Sequence, residues 1–174
     1  MSGTNKNLIL RALDEAYGNE EAWFGPNLRS TLAALSLDDL TCDETYEGYS
    51  AWELALHCAY WKWWARTHIT KEKDAFPYGL TDFTEPEKAG GMEAWKRDLA
   101  YLDEQHHLLK EALKALPEER LEEPWFGPDG KPQKDNLARH LMGVAFHDAY
   151  HTAQIRSMGL KTLRDPREKD SGSD

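Results

Sequence analysis

The chain has almost no cysteine, no long apolar run and no surplus of positive charge, and each scarcity narrows what it can be. Its two cysteines, Cys42 and Cys58, have neither the number nor the spacing of a disulfide framework, so a reducing, cytoplasmic compartment is expected. No stretch approaches the roughly 18 consecutive apolar residues of a membrane span. The opening Met1–Asn7 lacks the apolar core of a signal peptide. Lys and Arg number 21 against 31 Asp and Glu, a net charge of −10, and the pI is near 5.2. No basic stripe stands ready to displace the counterions of a phosphate backbone, so no nucleic-acid partner is expected. Neither a Ser nucleophile elbow nor a phosphate-cradling Gly loop is present to offer its own chemistry.

What is present is aromatic and helical. Seven Trp and seven Tyr are many for 174 residues, a length that suits one domain with a sizeable core. Leu8, Leu10, Leu13 and Tyr17, then Leu28, Leu32 and Leu35, recur at helical steps, broken by Gly25-Pro26. Ser36 to Gly48 reads as a connector. Ser50 with Glu53 three residues on forms a capping-box pattern for a second helix reaching Thr67 or His68. Residues 71–91, with Pro77, Gly79, Pro86, Gly90 and Gly91, read as a long connection that either crosses a bundle or lies over a site. A third helix runs from Met92 to Leu116 and stops at Pro117. Residues 122–135 read as a second loop. A fourth helix spans Asn136 to Met158, with Asp135 as candidate cap and Gly159 at its end. The expected architecture is an all-α four-helix bundle over residues 1–164, with a mobile polar tail at 165–174. Trp23-Phe24-Gly25-Pro26 and Trp125-Phe126-Gly127-Pro128 echo each other, but their surroundings differ and no internal repeat follows.

The most informative stretch is His147-Asp148-Ala149-Tyr150-His151. Residues four apart share a helix face, about 5–6 Å apart at Cβ, so both imidazoles can reach one divalent metal. His57, midway along the second helix, is the best third ligand. If the second and fourth helices meet, three imidazoles converge and leave coordination positions open, the pattern of a catalytic rather than a closed structural site. Glu53, Trp61 and Gln154 are candidates for the surrounding shell or pocket: Glu53 as an acceptor for an imidazole N–H, Trp61 as a wall on the His57 face, Gln154 as a partner for substrate. The plainer readings are a capping-box residue, a core aromatic and a polar helix end. Asp148 and Tyr150 point off the metal face, and His140 sits too far along the axis for a fourth ligand. Cys58 is most simply a small buried hydrophobe, and His68, His106 and His107 packing or solvated residues.

Trp52 followed by His57, with His147 to Ile155, resembles the DinB-like superfamily, and Ala22 to Leu28 resembles the first-helix segment of one branch. The likeness spans roughly residues 8 to 160. It implies an up-down-down-up bundle with a long crossover between helices 2 and 3, and a divalent metal, zinc or nickel foremost, on His57, His147 and His151. It also implies a homodimer and, in some branches, a low-molecular-weight thiol as cofactor, although no segment reads as a thiol-binding motif. The expected function is then a metal-dependent enzyme on a small molecule, of thiol-dependent S-transferase or hydrolase type. The alternatives are a non-catalytic, stress-related metal-binding bundle and a helical interaction module in which the histidines are incidental.

Overall fold

The computed structural model describes residues 5–163 apart from 20, 21, 24, 46, 73, 80, 128 and 129. The tail expected at 165–174 lies outside the described residues. Four long helices carry the architecture: α1 (Asn5–Tyr17), α4 (Ala51–Thr70), α5 (Gly91–Ala115) and α6 (Leu137–Arg156). Two short ones, α2 (Leu28–Ala33) and α3 (Leu37–Thr41), lie between α1 and α4. The fold is an all-α bundle, as expected, in which α4 packs on α5 and α6 while α1 packs on α6 and α5.

Burial follows the helical period. Ile9, Leu13, Ala16 and Tyr17 form the inner stripe of α1, and Trp95, Leu102, His106, Leu109 and Leu113 that of α5. By contrast, α4 is buried almost all round, because it lies between α5 and α6 and presses the 71–91 connection as well. Its start is the capping box: Ser50 Oγ accepts from the Glu53 N–H, and Glu53 Oε2 accepts from the Ser50 N–H. Its end comes at Thr70, two or three residues later than the sequence suggests, where Lys71 adopts the left-handed conformation at φ 62°. Trp52 Nε1 donates to Asp98 Oδ2 at 2.9 Å, fastening α4 to α5 inside the core.

Three local expectations need correction. Ser36 to Gly48 is not a plain connector, because Ser36 Oγ accepts from the Asp39 N–H and starts α3. Residues 122–135 are not simply a loop: β1 (Pro124–Phe126) pairs antiparallel with β2 (Pro132–Asn136), Phe126 standing opposite Pro132. The cap of α6 is Asn136, whose Oδ1 accepts from the Arg139 N–H at 3.0 Å, and not Asp135. Among the described residues no helix is long and apolar enough to cross a membrane.

Candidate metal centre

The packing of α4 against α6 brings His57, His147 and His151 together, with one ring nitrogen of each within 4.8 Å of the others. His57 Nε2 lies 2.9 Å from His147 Nε2, and His151 Nε2 lies 3.0 Å from the same atom. Both outer rings are fixed from behind. His57 Nδ1 faces the Asp82 carbonyl oxygen at 2.8 Å. A carbonyl only accepts, so Nδ1 carries the proton and Nε2 presents its lone pair. His151 Nδ1 lies 2.7 Å from Gln154 Oε1, and Gln154 Nε2 donates to Glu47 Oε2 at 2.6 Å. The Glu47 carboxylate fixes the Gln154 amide, the amide oxygen fixes the His151 tautomer, and the second lone pair joins the first.

Three imidazoles so arranged cannot satisfy one another. The His147 ring can donate one Nε2–H to one neighbour only, and its buried Nδ1 finds no hydrogen-bond partner among the described residues. Converging lone pairs suit a cation. Two nitrogens held at about 2.0–2.1 Å from one ion stand about 2.9–3.4 Å apart for ordinary ligand angles, the range seen here. The rings are also in the neutral state that ligation requires. Burial pushes His57 and His151 down, while burial and then the two neighbouring rings push His147 down to about 2. The donor set therefore fits a divalent transition metal. Among the described residues no fourth His, Cys, Asp or Glu joins this group.

The 71–91 connection lies over the site. Beyond the Asp82 carbonyl it supplies Phe83, stacked on His57 at 4.0 Å between centroids and on Tyr49 at 4.2 Å. Trp61 sets its edge against His57 and His147, with centroids 6.3 and 6.4 Å away. Gln154 is a direct partner of His151. Glu53 is not near this role: its carboxylate is engaged by Ser50, and the acceptor for the His57 N–H is the Asp82 carbonyl. Asp148 turns away from the metal face into the core, where both oxygens meet Lys62 Nζ and neither side chain is exposed. Burial pushes the Asp148 carboxyl up and the Lys62 ammonium pulls against it. Cys58 is buried beside Asp148, and burial, with the Asp148 charge second, pushes its thiol well up, which leaves it a poor nucleophile. His140 and His68 sandwich Trp125 of β1, with centroids 3.3 and 4.0 Å away.

Glu47, Asp82, Phe83 and Lys62 escaped the sequence reading. Asp82 acts through its backbone and leaves no side-chain signal, whereas Lys62, set among Trp61, Trp63 and Trp64, stands out as an oddity in the sequence.

No curated protein and no solved structure matches the chain. A family model for the DinB superfamily matches residues 21–155, a span that holds all three histidines and the elements that orient them. The chain belongs to the DinB superfamily.

Proposed function

We propose that the protein is a metal-dependent enzyme acting on a small molecule, by thiol-dependent transfer or by hydrolysis. The observation that carries this reading is the donor count: three convergent neutral imidazoles without a fourth protein ligand among the described residues, the count of catalytic rather than structural zinc sites. Zinc or nickel suits an all-imidazole set. When bound, such an ion lowers the pKa of a water or thiol and polarises a carbonyl. The chain's own groups do the rest. Asp82 and Gln154 hold two rings in their ligating tautomers, Glu47 holds Gln154, and Phe83 and Trp61 exclude water from the His57 side. The two-cysteine composition supports a reducing, cytoplasmic setting for a low-molecular-weight thiol. We also propose a homodimer, because Leu8, Trp23, Phe146 and Tyr150 expose large apolar side chains.

The test is turnover on pairs of thiols and small electrophiles, and on simple esters and amides. Turnover should vanish on chelation, return with added zinc or nickel and be absent in His147→Ala. Turnover that survives both chelation and His147→Ala contradicts the reading. So does a cobalt-loaded protein whose visible spectrum no small exchangeable ligand alters, the behaviour of a closed, non-catalytic metal site.

A further inference from the structure

On the His147 side of the three histidines lies a cavity of about 250 Å³, lined by Trp61, His140, Gly143, Val144 and His147. Four of these, His140, Gly143, Val144 and His147, recur at three- and four-residue steps and so form one face of α6. Trp61 closes the cavity from α4 with the same indole that abuts His57 and His147. The cavity and the metal centre therefore share a ring, His147, and a wall, Trp61. A larger hollow of about 460 Å³ sits elsewhere, among Trp63, Trp64, His68 and charged residues after α4, and includes none of the three histidines.

Gly143 is the informative member. A glycine inside a helix weakens it relative to alanine, so it needs a reason. Left-handed backbone is not the reason, since Gly143 is not among the positive-φ glycines. Close packing is not either: a Cβ added there meets only the Arg139 Nη1 tip, at 3.6 Å, an ordinary contact with a flexible side chain. One turn before His147, the missing side chain leaves room beside the metal ligand, approached only by the flexible Arg139 tip among the described residues. The wall of that space is an indole, a valine, a bare backbone and two imidazole rings, and the Arg139 guanidinium stands at its edge beside Gly143.

We propose that this cavity receives the uncharged, apolar part of the substrate, an aryl ring or a short branched alkyl group, while the substrate's polar head is held at the metal. The proposal rests on the metal-enzyme reading above and assigns that site its substrate class. The size agrees: a cavity of about 150 Å³ accommodates benzene, so 250 Å³ takes a ring with a few further atoms. A charged group set against the indole and the valine would lose its hydration there.

Cobalt(II)-loaded protein titrated with benzohydroxamate and with acetohydroxamate, followed by its visible spectrum, tests this directly. The two probes share a metal-binding head and differ in the apolar tail. The wild type should bind the aryl probe about tenfold or more tightly than the methyl one. Gly143→Leu, which fills the cavity, should keep its cobalt and bring the two affinities together. Gly143→Ala should raise Tm, as expected of a helix relieved of glycine, and reduce the preference. Equal affinities in the wild type, or a preference that persists in a cobalt-loaded Gly143→Leu, overturn the proposal while leaving the metal centre standing. Failure of the wild type to take up cobalt overturns both.

Discussion

The hydrogen bonds behind His57 and His151 decide what their front nitrogens can do. Each Nδ1 spends its proton on an oxygen, and each Nε2 is left as a donor of electrons toward His147. Gln154 is the replaceable part of this arrangement, because its partner at His57 is a backbone carbonyl that substitution leaves in place. Gln154→Leu should weaken zinc binding about 10–100-fold, the usual effect of losing a group that orients a ligand, and Glu47→Ala should weaken it less but in the same direction. Competition with a chromophoric chelator measures both, and unchanged affinity in Gln154→Leu contradicts the relay. Buried neutral histidines also set the response to acid. Burial pushes His106 down to about 2 and His140 to about 3, and Asp14, engaged by Lys110, gives His106 no hydrogen bond. Their folded-state values lie below the unfolded value of about 6.5, so the unfolded chain binds the proton first. The stability they contribute is whole above pH 6.5 and is lost as pH falls toward those folded values, by about 1.4 kcal/mol per pH unit for each ring. Urea unfolding of metal-free protein between pH 7 and 5 should show this loss, with a shallower slope in His140→Phe.

At the scale of elements, α4 and α6 are the pair that matters, since one supplies His57 and the other His147 and His151. They are joined inside the core by the Lys62–Asp148 ion pair, one residue from His147, and the Lys62 ammonium also lies 5.1 Å from the Tyr17 ring centroid, so α1 touches the same cluster. Removing one member of a fully buried pair strands the other charge. Lys62→Met should therefore destabilise the protein by about 3–5 kcal/mol, and adding Asp148→Leu should recover most of that loss. Denaturant unfolding of the two variants distinguishes this from a simple packing defect, which the second substitution would worsen. The same elements show what the sequence discloses and what it hides. The 147/151 spacing and the capping box at Ser50 are periodic, local signals, and both stand in the structure. Asp82 and Glu47 lie in connections where no period exists, and a backbone carbonyl has no residue type to recognise. The β1–β2 ribbon was hidden because β2 is exposed along most of its length, without the alternation that marks a half-buried strand. For α3, five residues are too few for a period, although Ser36 followed by Asp39 was a legible start signal.

Over the whole molecule, the bundle buries α4 as its central rod and leaves the α1–α6 side comparatively greasy. Trp23 and Phe146, with Ala12, Ala16, Ala145 and Ala149, line a hollow of about 280 Å³ on that side. Trp23 is 85% exposed and Phe146 59%, exposures unusual for such large apolar side chains. If this face joins two copies, sedimentation equilibrium should give twice the 20.0 kDa chain mass, and Phe146→Glu should shift the population to the single chain. A wild type that stays at single-chain mass across the concentration range contradicts the proposed dimer. The Trp-Phe-Gly-Pro echo also separates at this scale: Trp125 is buried between two histidines, whereas Trp23 stands at the surface.

The proposed chemistry depends on His57, His147 and His151 holding one ion. Elemental analysis of protein purified without a metal-affinity tag, beside His57→Ala and His147→Ala, measures that dependence. About one transition metal per chain, lost in both variants while the helical signal of each is kept, is the expected result. Wild-type protein that is isolated metal-free and takes up neither zinc nor nickel, or variants that retain the full metal content, would contradict it.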